Sequence, residues 1–223
     1  EAAARVLRLI DHAILNPDAT EEDVRTACQL GADLGVATVC VQACWAKIAV
    51  EVLQGHTTRP ASVLGFPHGA NTTEAKLIEA ITLLETGVVE LDMVMNVGWF
   101  RSGRLDDVAE EISSLHLVCS GAGVVLKVIL ETGYLTDEQK VEAAALAARE
   151  EADFVKTSTG FGPSGATVED VRLLHSAVPP HVGVKAAGGI CTLAQIQELV
   201  AAGASRIGTS STRAIAAELG VEV

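Results

Sequence analysis

Aromatic residues are nearly missing from this chain: Phe, Trp and Tyr together make up 3% of its 223 residues. A core must then be assembled from Ala, Val, Leu and Ile, and the 49% of hydrophobic residues marks the composition as globular and not disordered. Long apolar runs are lacking as well. No stretch approaches the roughly 20 residues of a membrane-spanning helix, and Glu1 to Ile10 alternates charged and apolar residues, unlike a signal peptide. A cytoplasmic protein without a membrane partner is therefore expected. Positive charge is short, since 16 Lys and Arg against 29 Asp and Glu leave a net charge of −13. That balance disfavours nucleic acid as a partner and leaves any anionic ligand to be held by local geometry. Cysteine occurs five times, dispersed in apolar segments (Cys28, Cys40, Cys44, Cys119, Cys191), so buried free thiols are expected and disulfides are not. No Pro/Ser-rich linker, low-complexity tract or charge block interrupts the chain, and residues 1–223 read as one domain.

What is present is an alternation of short apolar runs with longer amphipathic stretches, the pattern of βα units around a parallel sheet. Eight runs can be counted: Asp11 to Leu15, Ala37 to Gln42, Ser62 to Pro67, Val89 to Met95, Val124 to Glu131, Asp153 to Ser158, Gly183 to Ala187 and Arg206 to Ser210. Thr136 with Gln139 and Thr192 with Gln195 have the spacing of capping boxes, and Thr20 and Thr167 precede acidic first turns. Gly35, Gly55, Gly87 and Gly203 mark helix ends. An open doubly wound sheet normally has fewer strands for this length and a Gly-rich turn after the first, so a single (β/α)8 TIM barrel is the predicted fold. Such barrels carry their chemistry at the C-terminal ends of the strands.

Lysine is also scarce. The chain has six, and three of them (Lys127, Lys156, Lys185) fall inside predicted strands five, six and seven. An ammonium in a barrel core must be paired, lose its proton or face a wet cavity. One such lysine reads equally well as a structural ion pair; three on consecutive strands weaken that plainer reading. Strands about 4.8 Å apart would cluster the three amines if all point inward, with Lys156 in the middle. A cation about 4 Å away at an effective dielectric near 20 costs an ammonium about 4 kcal/mol, enough to leave an amine partly neutral and nucleophilic near pH 7. Asp92 sits beside Lys127 in an otherwise apolar run. It reads as a charge partner, a proton carrier, or both, and its pairing with Lys127 would leave Lys185 to depress Lys156. Because parallel strands are buried on both faces, periodicity does not reveal which side chains point inward.

Two loops have the composition of a phosphate cradle, Ala187-Gly188-Gly189-Ile190 and Gly208-Thr209-Ser210-Ser211, although either alone reads as an ordinary turn. Gly160 to Gly165 matches G-x-G-x-x-G formally, but Pro163 interrupts it and acidic residues follow too soon, so a dinucleotide site is rejected. His12, His68, Cys40 and Cys44 form no HxH, HExxH or CxxC pattern, and no metal is expected.

Together the segments Leu91-Asp92-Met93-Val94, Leu126 to Gly133, Phe154 to Phe161, Val184 to Gly189 and Gly208 to Ser211 resemble the deoxyribose-phosphate aldolase family, and Ile10 to Leu15 is similar to its opening strand. The resemblance spans nearly the whole chain. It implies reversible cleavage of 2-deoxy-D-ribose 5-phosphate to D-glyceraldehyde 3-phosphate and acetaldehyde, with scission expected between C3 and C4. It also implies that Lys156 forms the Schiff base, Lys185 perturbs it and Asp92 relays protons, with no cofactor beyond the covalent imine on Lys156. By the same resemblance Thr159, Gly160, Gly188, Gly189, Gly208, Ser210 and Ser211 would hold the phosphorylated substrate, Cys40 would lie near it, Lys127 would be a supporting charge, and a homodimer is expected. Two departures stand out. Cys191 occupies a position where many relatives carry a basic or polar residue, which implies a weaker countercharge for phosphate. Some relatives also carry a longer tail with a tyrosine near the site, whereas this sequence reaches Val223 soon after its last helix, so either lower efficiency or a truncated C-terminus is expected. A Schiff-base aldolase for another phosphorylated sugar or keto acid, and a non-catalytic barrel that binds sugar phosphates, are the competing readings.

Overall fold

The computed structural model of the protein describes residues 2–221, so Glu1 and Val223 lie outside the described residues. Eight parallel strands close into a barrel in sequence order, as predicted. They are β1 (Ile10–Ile14), β2 (Thr38–Val41), β3 (Arg59–Leu64), β4 (Glu90–Val94), β5 (Val125–Ile129), β6 (Phe154–Lys156), β7 (Gly183–Ala187) and β8 (Arg206–Thr209). The helices are α1 (Ala2–Leu7), α2 (Glu21–Leu34), α3 (Ala46–Val52), α4 (Thr73–Leu84), α5 (Val97–Arg101), α6 (Leu105–Gly121), α7 (Asp137–Arg149), α8 (Val168–Ala177), α9 (Leu193–Ala201) and α10 (Thr212–Glu218). The ladder closes where Asp11 of β1 pairs with Gly208 of β8.

The anticipated caps form. Thr136 with Gln139 and Thr192 with Gln195 make reciprocal capping boxes, and Thr20 makes a third with Asp23. Thr167 accepts from the Asp170 amide at the start of α8. Gly35 closes α2 in the left-handed conformation (φ 64°) that glycine adopts without a Cβ penalty. Gly55 sits farther out, because α3 already ends at Val52. Several strands are shorter than their apolar runs, β6 keeping three residues, whereas β3 keeps its length but is shifted toward the N-terminus, starting at Arg59 and stopping at Leu64, short of Pro67. Helices α1 and α5, of six and five residues, had no periodic signal to announce them.

Alternation along each strand sends one set of side chains out to the helices and the other into the barrel. The outer set joins the helices in the main apolar core. The inner set is divided. Leu15, Cys40, Ala61 and Val63, on the β1 to β3 side, form a small apolar cluster of their own. The rest of the interior is ionic. At the N-terminal end the Arg206 guanidinium stacks 5.3 Å from the Phe154 ring and donates to Glu90 at 2.9 Å, plugging the barrel floor. Gly183, opposite Phe154 in the ladder, has no room for a Cβ against that ring.

Three of the five cysteines are buried as expected, but Cys44, in the helical turn Ala43–Trp45, and Cys191, just before the α9 cap at Thr192, are exposed. All five are free thiols. No helix among the described residues is long and apolar enough to cross a membrane.

Candidate active site

The three strand lysines do converge, around one carboxylate. Asp92 lies opposite Lys127 in the β4–β5 register, and Lys156 lies opposite Lys185 between β6 and β7. All four side chains point inward and are buried. Asp92 Oδ1 accepts from Lys127 Nζ at 2.8 Å, and its Oδ2 accepts from Lys156 Nζ at 2.8 Å and Lys185 Nζ at 2.7 Å.

The amines are not equivalent, because the carboxylates around them are unevenly shared. Lys127 touches three, Glu90 at 2.5 Å, Asp92 at 2.8 Å and Asp11 at 3.6 Å. Lys185 touches two, Asp11 at 2.5 Å and Asp92 at 2.7 Å. Lys156 touches Asp92 alone. Burial works against every one of these charges, and the partners decide the outcome. Against burial, Asp92, Asp11 and Glu90 raise Lys127 above the ordinary lysine value, and Asp11 and Asp92 do the same for Lys185. For Lys156 burial prevails: with the added repulsion of Lys185, it outweighs Asp92 and lowers the amine. The sequence argument had the sign right but named the neighbouring cation as the main cause, whereas loss of water comes first. Burial likewise opposes the Asp92 carboxylate, yet Lys127, Lys156 and Lys185 hold it well below the usual range. The interior network contains three carboxylates (Asp11, Glu90, Asp92) and four cations (Lys127, Lys156, Lys185, Arg206), so it becomes neutral when Lys156 gives up its proton.

Above this network a cavity of about 330 Å³ opens at the C-terminal ends of the strands. Lys156 and Lys185 line it, and so do Cys40, Thr159, Gly160, Gly188, Gly189, Gly208, Ser210 and Ser211, all of which the resemblance had nominated. Lys127 and Asp92 are not on its wall; both are fully buried within the barrel. The Cys40 thiol, pushed up to about 12 by burial and then by Asp92, stays protonated and belongs to the apolar half of the interior.

The glycine and serine loops are tied to one another. Thr209 Oγ1 donates to the Ile190 carbonyl at 2.6 Å and accepts from the Ser211 amide at 2.9 Å, joining the β7 and β8 loops. Gly188 and Gly189 have φ of 94° and 76°, a conformation that keeps side chains out of the cavity wall. At the start of α9 two backbone amides are already engaged: Cys191 N and Thr192 N both donate to Gln195 Oε1, at 2.8 and 3.1 Å. His12 braces the β8 loop from beneath, with its Nδ1 2.8 Å from Thr212 Oγ1 and a hydrogen bond to the Thr209 backbone. The Gly160 to Gly165 segment does not open a helix. It lies in the β6–α8 loop, ending before the cap at Thr167, in keeping with the rejection of a dinucleotide site.

Sequence reasoning missed Asp11 and Arg206 as members of the network. The only available signal was a charged residue at an inward position of an apolar run, which becomes visible once the register is known. Among the described residues no group of three or more His, Cys, Asp or Glu is arranged to hold a metal ion.

The model of the family described as DeoC/LacD family aldolase matches residues 5–218. The chain is 50% identical over 212 residues to the deoxyribose-phosphate aldolase of Methanocella arvoryzae, covering 94% of this chain and 93% of that one. It is 49% identical over 208 residues to the deoxyribose-phosphate aldolase of Thermococcus gammatolerans, covering 92% of each. A solved tetrameric deoxyribose phosphate aldolase from Aeropyrum pernix matches with a TM-score of 0.91 at 33% identity, over 99% of this chain and 93% of that one. A barrel in which a lowered lysine faces a Gly/Ser-lined cavity, with matches of this length, leaves one assignment: the chain belongs to the DeoC/LacD family of aldolases.

Proposed function

We propose that this protein is a Schiff-base aldolase that reversibly cleaves 2-deoxy-D-ribose 5-phosphate into D-glyceraldehyde 3-phosphate and acetaldehyde. The observation that carries the reading is the uneven sharing of carboxylates, which leaves Lys156 as the lowered amine on the cavity floor. The name borne by the relatives above supports the substrate.

Neutral Lys156 adds to the C1 aldehyde of the open-chain sugar, and the carbinolamine takes up a proton and loses water to give a protonated imine. Carbon balance corrects the expected scission: acetaldehyde takes C1 and C2, so the bond that breaks is C2–C3. The C3 hydroxyl gives up its proton, the electron pair of the C2–C3 bond moves toward the imine nitrogen, and an enamine remains on Lys156. Protonation at C2 and hydrolysis then release acetaldehyde and regenerate the amine. The protonated imine is itself the electron sink, so the scheme calls for neither metal nor cofactor. Lys185 and Asp92, 2.7 Å apart beside Lys156, are the groups that move protons, through water where distance requires it. Because Asp92 is held as an anion, Lys185 is the acid of the pair and Asp92 the acceptor that resets it. Thr159, Gly160, Gly188, Gly189, Gly208, Ser210 and Ser211 would form the phosphate side of the cavity, and Cys40 would lie near the sugar. A symmetric homo-oligomer in the cytoplasm is the expected working form.

Incubation with acetaldehyde and borohydride, followed by peptide mass spectrometry, tests the mechanism. An ethyl group on Lys156 is expected. A label on Lys185 or Lys127 would overturn the order of amines, and no label in a folded, active sample would overturn the lysine mechanism.

A further inference from the structure

The β6–α8 loop leaves the barrel directly after Lys156 and walls the cavity through Thr159, Gly160 and Phe161. Its anchor is a residue with no part in the chemistry above. Glu131, two residues past β5, has φ 54° and ψ 63°, a left-handed conformation that residues with a Cβ seldom occupy. Its side chain is nonetheless buried, and both carboxylate oxygens are directed at one loop residue. Oε1 accepts from the Thr159 amide at 3.1 Å and Oε2 from the Thr159 hydroxyl at 2.5 Å. Thr159 Oγ1 in turn accepts from the Phe161 amide at 3.0 Å. Among the described residues no cation pairs with Glu131, so this buried carboxylate relies on these loop contacts.

Packing makes the clamp rigid. A Cβ on Gly162 would lie 2.7 Å from Glu131 Cδ, and one on Gly133 would lie 2.9 Å from Pro163 Cγ, so the two loops meet backbone to side chain with no slack. At its other end the same loop is fastened to the glycine wall. Ala166 N donates to the Gly188 carbonyl at 3.1 Å, and Gly165 sits so close to that carbonyl that a Cβ would overlap it. The loop is thus held between Glu131 on one side and Gly188 on the other, with Gly160 between them.

We propose that Glu131 is a positioning residue whose carboxylate sets the β6–α8 loop against the Gly188–Gly189 wall, and that this setting determines the preference for a phosphorylated over an unphosphorylated sugar. The inference rests on the deoxyribose-phosphate reading above and deepens it. Its reach is the phosphate side of the cavity; the lysine centre is held separately by Asp92 and Asp11.

The test is steady-state kinetics of wild type, Glu131→Gln and Glu131→Asn with 2-deoxyribose 5-phosphate and with 2-deoxyribose, together with acetaldehyde and borohydride labelling of Lys156. Gln keeps the size but replaces one acceptor oxygen with a donor, so it cannot accept both Thr159 bonds. Asn is tolerated in left-handed backbone and is too short to reach, which gives a second variant free of added strain. For both, KM for the phosphorylated sugar should rise about tenfold or more, while kcat/KM for 2-deoxyribose changes less than about threefold and labelling of Lys156 persists. An equal loss on both sugars would overturn the proposal, since it would place Glu131 in the service of the lysine centre or of the fold as a whole. An unchanged KM for the phosphorylated sugar in either folded variant would overturn it as well. Failure of the underlying reading shows in wild type alone, as no acetaldehyde from the phosphorylated sugar or no preference for it, and would take the proposal down with it.

Discussion

Lys156 differs from its two neighbours by what it lacks, a second carboxylate. Three amines on adjacent strands share one buried aspartate, and the chain breaks the tie by giving Lys185 Asp11 and giving Lys127 both Asp11 and Glu90. In the resting site Lys185 therefore keeps its proton, and its charge presses on Lys156. Lys185→Met removes that charge and frees Asp11, and both changes favour a proton on Lys156. The pH profile of borohydride trapping at Lys156 should then move its acidic limb to higher pH; a limb that stays in place would mean that burial alone sets the amine. At this scale the lysines were legible because a cation inside an apolar run is costly and thus conspicuous. Asp11 was not. An isolated acid in a short strand looks like any surface residue until the ladder turns it inward.

Elements carry the same economy of buried charge outside the barrel. Lys76 of α4 and Glu111 of α6 form a fully buried pair at 2.6 Å. Lys76 Nζ also donates to the Val94 carbonyl at 2.8 Å, and Glu111 Oε2 accepts from the Asn96 amide at 3.1 Å. Two helices are thereby pinned to the C-terminal end of β4, the strand that carries Asp92. Glu111→Ala would leave a buried ammonium without its partner and should cost about 3–5 kcal/mol in urea unfolding. A loss below 1 kcal/mol would show that water reaches Lys76. The capping boxes at Thr136 and Thr192 could be read from the sequence because a cap is a local contest between a side chain and the first free amides. The pair could not, since 35 residues separate its members and each sits on a helix that reads as ordinary amphipathic surface.

Over the whole molecule the barrel interior is split into a small apolar half and an ionic half, and stability should respond to acid in two stages. His12 is kept neutral mainly by burial, its value lowered from 6.5 to about 4. The unfolded chain takes up that proton more readily, so stability is undiminished above about pH 6.5 and falls as pH drops from there toward 4. Asp11 and Asp92, depressed by their lysines, contribute stability that is present above about pH 4 and is lost only as pH falls further toward their folded values. Urea unfolding between pH 7 and 4 should show the first stage in wild type and a shallower slope in His12→Gln. An unchanged slope would assign that stage to other groups.

The sequence by itself determined the class of fold and the kind of chemistry. Eight apolar runs with helical intervals allow few closures, and lysine is too costly within a strand to be placed there idly. Only the tertiary structure decided how the three amines are ranked and what holds their surroundings. The ranking of Lys127, Lys185 and Lys156 depends on which carboxylates the closed ladder delivers to each, and Asp11 reaches them from the far end of the chain through the β1–β8 seam. The grip of Glu131 on Thr159 likewise joins two loops that no local rule connects. Short-range preferences are written in neighbouring residues, whereas electrostatic order in a barrel is a property of its register.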